Sequence, residues 1–241
     1  MIAWLKLQLH WQSEPGLWIL ASFLLLALGC AFARRHIYTT LRAWLETRGW
    51  YVPFWWAARL AYLTGLPYLA LLAGPISPRN MGLNDLDWVN TLGLGAPLAA
   101  MAWGALMIGW RQGGVLRGQT EPLPVGSPSA RALAAALEAA GQQIHWAFYR
   151  SAAIDWWGLY WGTWGALLLI AAQWALAWWL EPERRPVAGS SYLLLGAALA
   201  VLTAAFYLIV PNWWLGWALH FLTLLGTHPP LGPRSDRPLL P

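Results

Sequence analysis

Residues 17–33 read LWILASFLLLALGCAFA, an unbroken apolar run that ends abruptly at Arg34, Arg35 and His36. An uncharged run of this length predicts a helix that crosses a lipid bilayer. No small-residue cleavage site follows the run, and a basic pair stands at its C-terminal end. We therefore interpret it as a retained first span and not as a signal peptide.

The composition of the whole chain agrees with that interpretation. Hydrophobic residues make up 59% of the 241 residues and charged residues only 10%, whereas soluble domains are about 25% charged. At about 20 residues per crossing, this length provides for about seven helices joined by short loops. We predict an all-α, polytopic transmembrane helix bundle that forms a single domain over residues 1–241, with spans at about 17–33, 50–72, 91–110, 130–154, 155–180, 190–210 and 213–225.

Short local signals mark the ends of these spans. Residues 37–48 have mixed polarity and predict a short helix that lies on the membrane surface. The sequence GLP at residues 65–67 predicts a kink in the second span. Asn84 or Asp85 is expected to cap the third span, and residues 127–128, Ser-Pro, predict the cap and first position of the fourth.

The basic residues predict the orientation of the chain. With the N-terminus outside, the outside loops contain only Lys6 and Arg79, while Arg59 and Arg150 fall within spans. The other eleven of the fifteen Lys and Arg residues face inward: Arg34, Arg35, Arg42, Arg48, Arg111, Arg117, Arg131, Arg184, Arg185, Arg234 and Arg237. This bias follows the positive-inside rule and puts the C-terminus inside, so the net charge of +5 indicates orientation and not nucleic-acid binding. The compact design and the basic cytoplasmic loops favour a bacterial inner membrane.

Tryptophan is strongly over-represented, with 21 residues in the chain. Many lie at predicted span ends: Trp50, Trp55 and Trp56; Trp156, Trp157 and Trp161; Trp178 and Trp179; Trp213 and Trp214. Indole rings prefer the headgroup layer, so an aromatic belt accounts for this pattern. The functional alternative is a surface that binds a flat apolar partner, such as a quinone, a pigment or a neighbouring subunit.

Polar side chains inside the spans mark the candidate site, because such groups are costly in a membrane. On the fourth span they are spaced by four, three and four residues: Glu138, Gln142, His145 and Tyr149. This spacing places them on one face of a helix, which must look into the bundle or into a water-filled cavity.

Three other polar residues belong to the candidate set. Arg150 lies on another face of the fourth span, where we expect it to pair with Asp155 or to extend to the headgroups. His220 falls within the seventh span and Arg59 within the second. With His145, His220 could bind a metal or a haem-like ring or relay protons, or each histidine could simply hydrogen-bond to a neighbouring helix.

The candidates divide by role. The candidate catalytic residues are Glu138, His145, Arg150 and His220, and the candidate cofactor-binding residues are His145, Tyr149 and His220. A metal site needs three or more ligands, whereas two histidines and one distant glutamate are present, so we predict no metal site. The identity of a cofactor stays open.

Two stretches carry a family resemblance: HWAFYRS at residues 145–151 and PNWWLGWALH at residues 211–220. The first resembles the first motif of the CPBP family, the CAAX-processing and bacteriocin-processing intramembrane proteases, in which a glutamate pair precedes an aromatic residue and an arginine. The second resembles the family's last motif, a histidine on a late helix, and MGL at residues 81–83 resembles a common lead-in. The resemblance covers roughly residues 81–225 and implies a membrane-embedded helical protease scaffold.

The chain departs from that family at the residues that carry its chemistry. His145 and Trp146 occupy the places of the two glutamates, and the fifth span has no histidine for the middle motif. Leu224 stands where the family has asparagine or aspartate after the last histidine. Only Arg150 and His220 carry over, so the resemblance implies a scaffold without the carboxylate base that hydrolysis requires.

Two functional hypotheses follow. The first is a non-proteolytic scaffold or accessory subunit that uses its tryptophan-rich surface and the cavity around His145 to bind other membrane subunits, a pigment or a quinone. The alternative is an active, metal-dependent intramembrane endopeptidase of CAAX type with altered residues, in which Glu138 supplies the carboxylate beside His145 and His220. Transport has little support, since no inverted repeat is apparent.

Overall fold

The computed structural model describes residues 14–33, 36–112, 127–180 and 189–227, and the regular structure of these residues is entirely helical. No strand occurs in this part of the chain, which confirms the predicted all-α class. Three of the helices, Pro15–Ala33, Trp88–Gln112 and Pro128–Leu180, are long and apolar enough to cross a membrane.

We number the helices α1 to α8 along the chain. α1 comprises Pro15–Ala33 and α2 comprises His36–Thr47. α3 consists of Tyr51–Leu60, a π-helical segment Ala61–Gly65, and Leu66–Ala73. α4 is the short helix Pro78–Met81, and α5 consists of Trp88–Asn90, a π-helical segment Thr91–Gly95, and Ala96–Gln112. α6 comprises Pro128–Leu180, α7 comprises Gly189–Ile209 and α8 comprises Trp213–Thr227.

A helix therefore occurs at every predicted span, and also at the predicted surface helix. The basic pair at residues 34–35, most of the polar loop over residues 113–126, the break at residues 181–186 and the tail from residue 228 lie outside the described residues.

Two prolines explain the π-helical segments of α3 and α5. Pro67 has no N–H, so the carbonyl of Leu63 loses the donor that an α-helix would supply four residues later. The predicted kink takes the form of a widened helix over Ala61–Gly65, just before this proline. Pro97 stands at the same distance after the segment Thr91–Gly95, and the same cause applies there.

α6 is a helical hairpin and not one straight rod. A continuous helix would separate His145 and Gln173 by about 42 Å, yet their Nε2 atoms lie 3.1 Å apart. The chain reverses at Gly158, whose φ of 73° and ψ of 175° are accessible almost only to glycine. We call residues 128–157 α6a and residues 159–180 α6b.

The spans predicted at about 130–154 and 155–180 meet four residues before this turn. Asp155 continues the helix, and the chain reverses at Gly158, the residue that can adopt these backbone angles. Beyond the turn the arms touch: a Cβ on Gly162 would lie 2.5 Å from the backbone nitrogen of Ile154. A side chain at position 162 would therefore push the arms apart.

α6a is the buried centre of the bundle. The side chains of Ala147, Phe148 and Tyr149 are completely buried, as are Ala152 and Ala153. α1, α3, α4, α7 and α8 all pack against the hairpin. The segment that is unusually polar in the sequence is thus surrounded by protein, which satisfies the expectation that its polar face looks into the bundle.

The caps of the short connections differ in part from prediction. Ser127 Oγ accepts a hydrogen bond from Ala130 N at 3.2 Å, so the predicted cap of α6 is confirmed. The predicted caps of α5 were wrong: Asp87 fills that place, and its carboxylate accepts from Asn90 N at 3.0 Å. Asp85 has a left-handed backbone conformation with φ of 56°, which forms a turn and cannot lead directly into a helix.

Candidate functional site

The polar face of α6a is continuous, as its spacing predicted. Gln142 Nε2 donates a hydrogen bond to Glu138 Oε1 at 2.9 Å. One turn further on, the rings of His145 and Tyr149 meet edge to face, with their centroids 4.8 Å apart. The face therefore begins with a carboxylate and an amide and continues with an imidazole and a phenol.

Arg59 of α3 forms an ion pair with Glu138 across the bundle. Arg59 Nη2 lies 2.6 Å from Glu138 Oε1, the oxygen that also accepts from Gln142. The side chain of Glu138 is 9% exposed and that of Arg59 is 40% exposed, so the pair joins the interior to the surface. Both residues were candidates from the sequence, but the sequence did not predict that they form a pair. In the structure the Glu138 carboxylate binds both a guanidinium and an amide.

A chain of hydrogen bonds connects His145 to two other helices and to the second arm of the hairpin. His145 Nε2 lies 3.1 Å from Gln173 Nε2, which donates to the Tyr62 hydroxyl at 2.8 Å. The Tyr62 hydroxyl lies 3.0 Å from Ser22 Oγ, and Ser22 Oγ lies 2.9 Å from the Tyr149 hydroxyl. The chain ties α1, α3, α6a and α6b together around one buried imidazole.

The orientation of the Gln173 amide sets the tautomer of His145 that fits this network. Tyr62 donates its hydroxyl hydrogen to the Ser22 carbonyl, so it accepts from the Gln173 amide nitrogen. With the amide in that orientation, the same nitrogen donates to His145 Nε2, and the ring hydrogen of neutral His145 lies on Nδ1. Nδ1 faces the backbone of Leu63 but has no hydrogen bond of good geometry in the described part of the chain.

His220 of α8 has an equivalent partner. Its Nδ1 lies 3.2 Å from Gln143 Nε2, and its ring stacks on Trp146 with centroids 5.3 Å apart and planes inclined by 17°. With the amide nitrogen of Gln143 donating to Nδ1, the ring hydrogen of neutral His220 lies on Nε2.

Both histidines line one cavity of about 310 Å³, enclosed by α1, α3, α6, α7 and α8. Its polar lining consists of Arg59, Tyr62, Gln142, His145, Gln173 and His220, and the ten other lining residues are apolar. The volume is at the lower end of the range for small-molecule pockets, which also combine apolar walls with a few polar groups. Glu138 and Tyr149 do not line the cavity; they support residues that do.

Arg150 lies apart from this cavity, and neither expectation for it was correct. Its guanidinium lies 3.8 Å above the ring of Tyr207 in α7, and the residue is only 5% exposed. It therefore does not reach the headgroups. Asp155 accepts from Asn80 Nδ2 at 2.9 Å and does not pair with Arg150. The reversal at Gly158 folds α6b beside this position, and an aromatic face takes the place of the expected carboxylate.

The donor set in the cavity suits hydrogen bonding more than metal chemistry. In the described ranges, no three His, Cys, Asp or Glu side chains lie close enough together to hold a metal ion. One nitrogen of each cavity histidine is taken by a glutamine amide. What remains is a mainly apolar chamber that the Nε2 side of the His220 ring can face.

Four residues of the site were not singled out from the sequence: Ser22, Tyr62, Gln143 and Gln173. Ser22, Tyr62 and Gln173 are each polar within a mainly apolar helix, which is itself the signal for an interhelical hydrogen bond, whereas Gln143 belongs to the polar segment of α6a. Gln173 is the clearest case, since it stands alone among apolar residues in α6b. The signal indicates that a partner exists but not on which helix.

Comparisons of the chain with known protein families, with characterised proteins and with solved structures find no match. The resemblance to the CPBP proteases therefore rests on the residues quoted above.

Proposed function

We propose that the chain is a polytopic protein of a bacterial inner membrane, with seven crossings, its N-terminus outside and its C-terminus inside. Helix lengths support this count: α6b extends about 33 Å and α7 about 31 Å, against a hydrocarbon core of about 30 Å. α8 has 15 residues and extends only about 22 Å, so it crosses where the bilayer thins around it.

The exposed tryptophans of α6b support the same placement. Trp161 near its start is 69% exposed, and Trp178 and Trp179 near its end are 59% and 71% exposed. Trp161 and Trp178 are separated by about 26 Å along the helix axis. Two aromatic groups at that separation fit the two interfaces of one bilayer.

Within that membrane domain, the proposed role is a non-proteolytic scaffold or accessory subunit that binds an apolar cofactor or a hydrophobic segment of a partner subunit. One observation carries this proposal: both histidines of a mainly apolar cavity are held by glutamine amides, and the nearby carboxylate is paired with Arg59. Hydrolysis by the mechanism of the CPBP proteases needs a carboxylate base that activates water. Binding needs apolar walls and a few fixed polar groups. The scaffold would be CPBP-like in fold without the protease chemistry.

Native purification in mild detergent tests this role. We expect stoichiometric membrane subunits or a small apolar molecule, such as a pigment or a quinone, to co-purify with the chain. Size, subunit content, absorbance and extracted lipids should be recorded together. A preparation that is monodisperse, colourless and free of both would contradict the proposal.

An altered intramembrane endopeptidase is the second candidate, because His145 and His220 line the same cavity and Gln142 links that cavity to Glu138. It predicts that the native protein cleaves membrane peptides and that Glu138→Gln or His145→Ala abolishes cleavage. Glu46→Gln is the matched control, since Glu46 pairs with Arg42 at an exposed site on α2. Cleavage by the native protein that either site variant removes and the control retains would replace the scaffold role with this one.

A further inference from the structure

We infer that the cavity binds a flat, neutral, lipid-soluble ring compound that accepts a hydrogen bond through a carbonyl oxygen, as a quinone does. The inference rests on the proposed binding role and specifies the class of ligand. It follows from three properties of the cavity: its remaining hydrogen-bonding groups, its charge and its walls.

The hydrogen-bonding group on which the inference rests is Nε2 of His220. Gln143 Nε2 lies 3.2 Å from Nδ1 of that ring, and with the amide donating to Nδ1, Nε2 carries the ring hydrogen. His220 is 3% exposed and lines the cavity. A ligand carbonyl oxygen can accept a hydrogen bond from this group, whereas a pure hydrocarbon cannot.

The charge of the lining favours a neutral ligand. Arg59 is the one charged residue among those that line the cavity in the described structure, and the Glu138 carboxylate compensates it at 2.6 Å. An anionic ligand would compete with that carboxylate, and a cationic ligand would meet the guanidinium. A neutral carbonyl compound disturbs neither partner.

The walls favour a flat ring with an apolar extension. Trp146 stacks on His220, and Trp174 meets Trp146 edge to face with centroids 6.3 Å apart. These rings offer flat apolar surface on which an aromatic ligand can stack. Leu193 of α7 lines the cavity and is also 41% exposed. The cavity therefore reaches the outer surface of the bundle beside α7, where an apolar tail can leave it.

The test compares menadione, a naphthoquinone with two carbonyl oxygens, with 2-methylnaphthalene, which has the same ring skeleton and no oxygen. Binding is measured by isothermal titration of the full-length protein in mild detergent, against empty micelles. One hydrogen bond to a neutral acceptor predicts that menadione binds about threefold to tenfold more tightly.

Two variants locate the binding. His220→Phe retains a flat ring beside Trp146 but removes the donor, so menadione affinity should fall about threefold to tenfold, to that of 2-methylnaphthalene. Ala177→Leu fills the cavity and should remove binding of both compounds. Ala175→Leu is its matched control, because Ala175 lies on the same helix, is exposed and does not line the cavity.

The outcomes separate the ligand class from the binding role. If both compounds bind equally and Ala177→Leu abolishes both, the cavity binds apolar rings but the carbonyl requirement is wrong. If neither compound binds, or if Ala177→Leu changes nothing, the cavity does not bind such ligands and the inference falls. His220→Phe is judged by the ratio of the two affinities, so partial unfolding does not imitate its expected result. Ala177→Leu is judged against Ala175→Leu, and far-UV circular dichroism must show that both variants are as helical as the native protein.

Discussion

Gly158→Ala should destabilise the protein through backbone strain alone. Gly158 has φ of 73° and ψ of 175°, a region that residues with a side chain occupy at a cost of about 1–3 kcal/mol. A Cβ at this position would meet no atom within 4 Å, so no steric clash adds to this cost. The expected loss is therefore about 1–3 kcal/mol of unfolding free energy.

Gly109→Ala is the matched control for this change. Gly109 lies in the α-helical part of α5, and a Cβ there also meets nothing within 4 Å. Its backbone is helical, so alanine should leave stability unchanged or raise it by up to about 1 kcal/mol. Unfolding by added SDS, followed by far-UV circular dichroism, compares the two variants with the native protein. Equal midpoints for Gly158→Ala and Gly109→Ala would refute the hairpin turn as the strained element that joins the two arms.

Three further predictions use the same unfolding assay. Gly82→Ala should lower stability by at least about 1 kcal/mol, because φ is 75° and the new Cβ would lie 3.1 Å from Trp213 N; an unchanged midpoint contradicts this close packing. Glu138→Gln and Arg59→Met should each lower the free energy of unfolding by about 1 kcal/mol, a value reduced because the arginine is partly exposed. The double variant should lose less than the sum of the two single losses, and strictly additive losses would show that the pair is not coupled. The hydrogen bond from the Asn90 backbone lowers the pKa of Asp87 below its usual 3.8. The stability that this carboxylate adds is therefore fully present above pH 3.8 and is lost as the pH falls through the lower pKa of the folded state. Asp87→Asn should remove this part of the acid sensitivity as the pH falls below about 3.8, and an acid response identical to that of the native protein would contradict it.

The site was predictable from the sequence only in its local parts. Helical periodicity placed Glu138, Gln142, His145 and Tyr149 on one face, and the face exists as predicted. Their partners were not predictable, because they come from elsewhere in the bundle. Arg59 pairs with Glu138, and a chain of hydrogen bonds through Gln173 joins His145 to Ser22. Spacing along one helix contains no information about the rotation and height of its neighbours.

Arg150 shows why a nearby charge in sequence is a poor guide to a partner. Asp155 is five residues away, but a helix turns it to a different face, where Asn80 binds it. The ring of Tyr207, far away in the chain, covers the guanidinium instead. An arginine inside a bundle takes the partner that packing brings to it.

By itself the sequence determined that the described part of this chain is all-helical, that it contains helices long and apolar enough to cross a membrane, and that α6a is polar along one face. These properties follow from hydropathy and side-chain period, which are sums over neighbouring residues. The tertiary structure decided that the hairpin reverses at Gly158, that His145 and His220 share one cavity, and that glutamine amides hold both. These facts depend on which helices pack together, and packing is set by the shapes of surfaces that lie far apart in the chain.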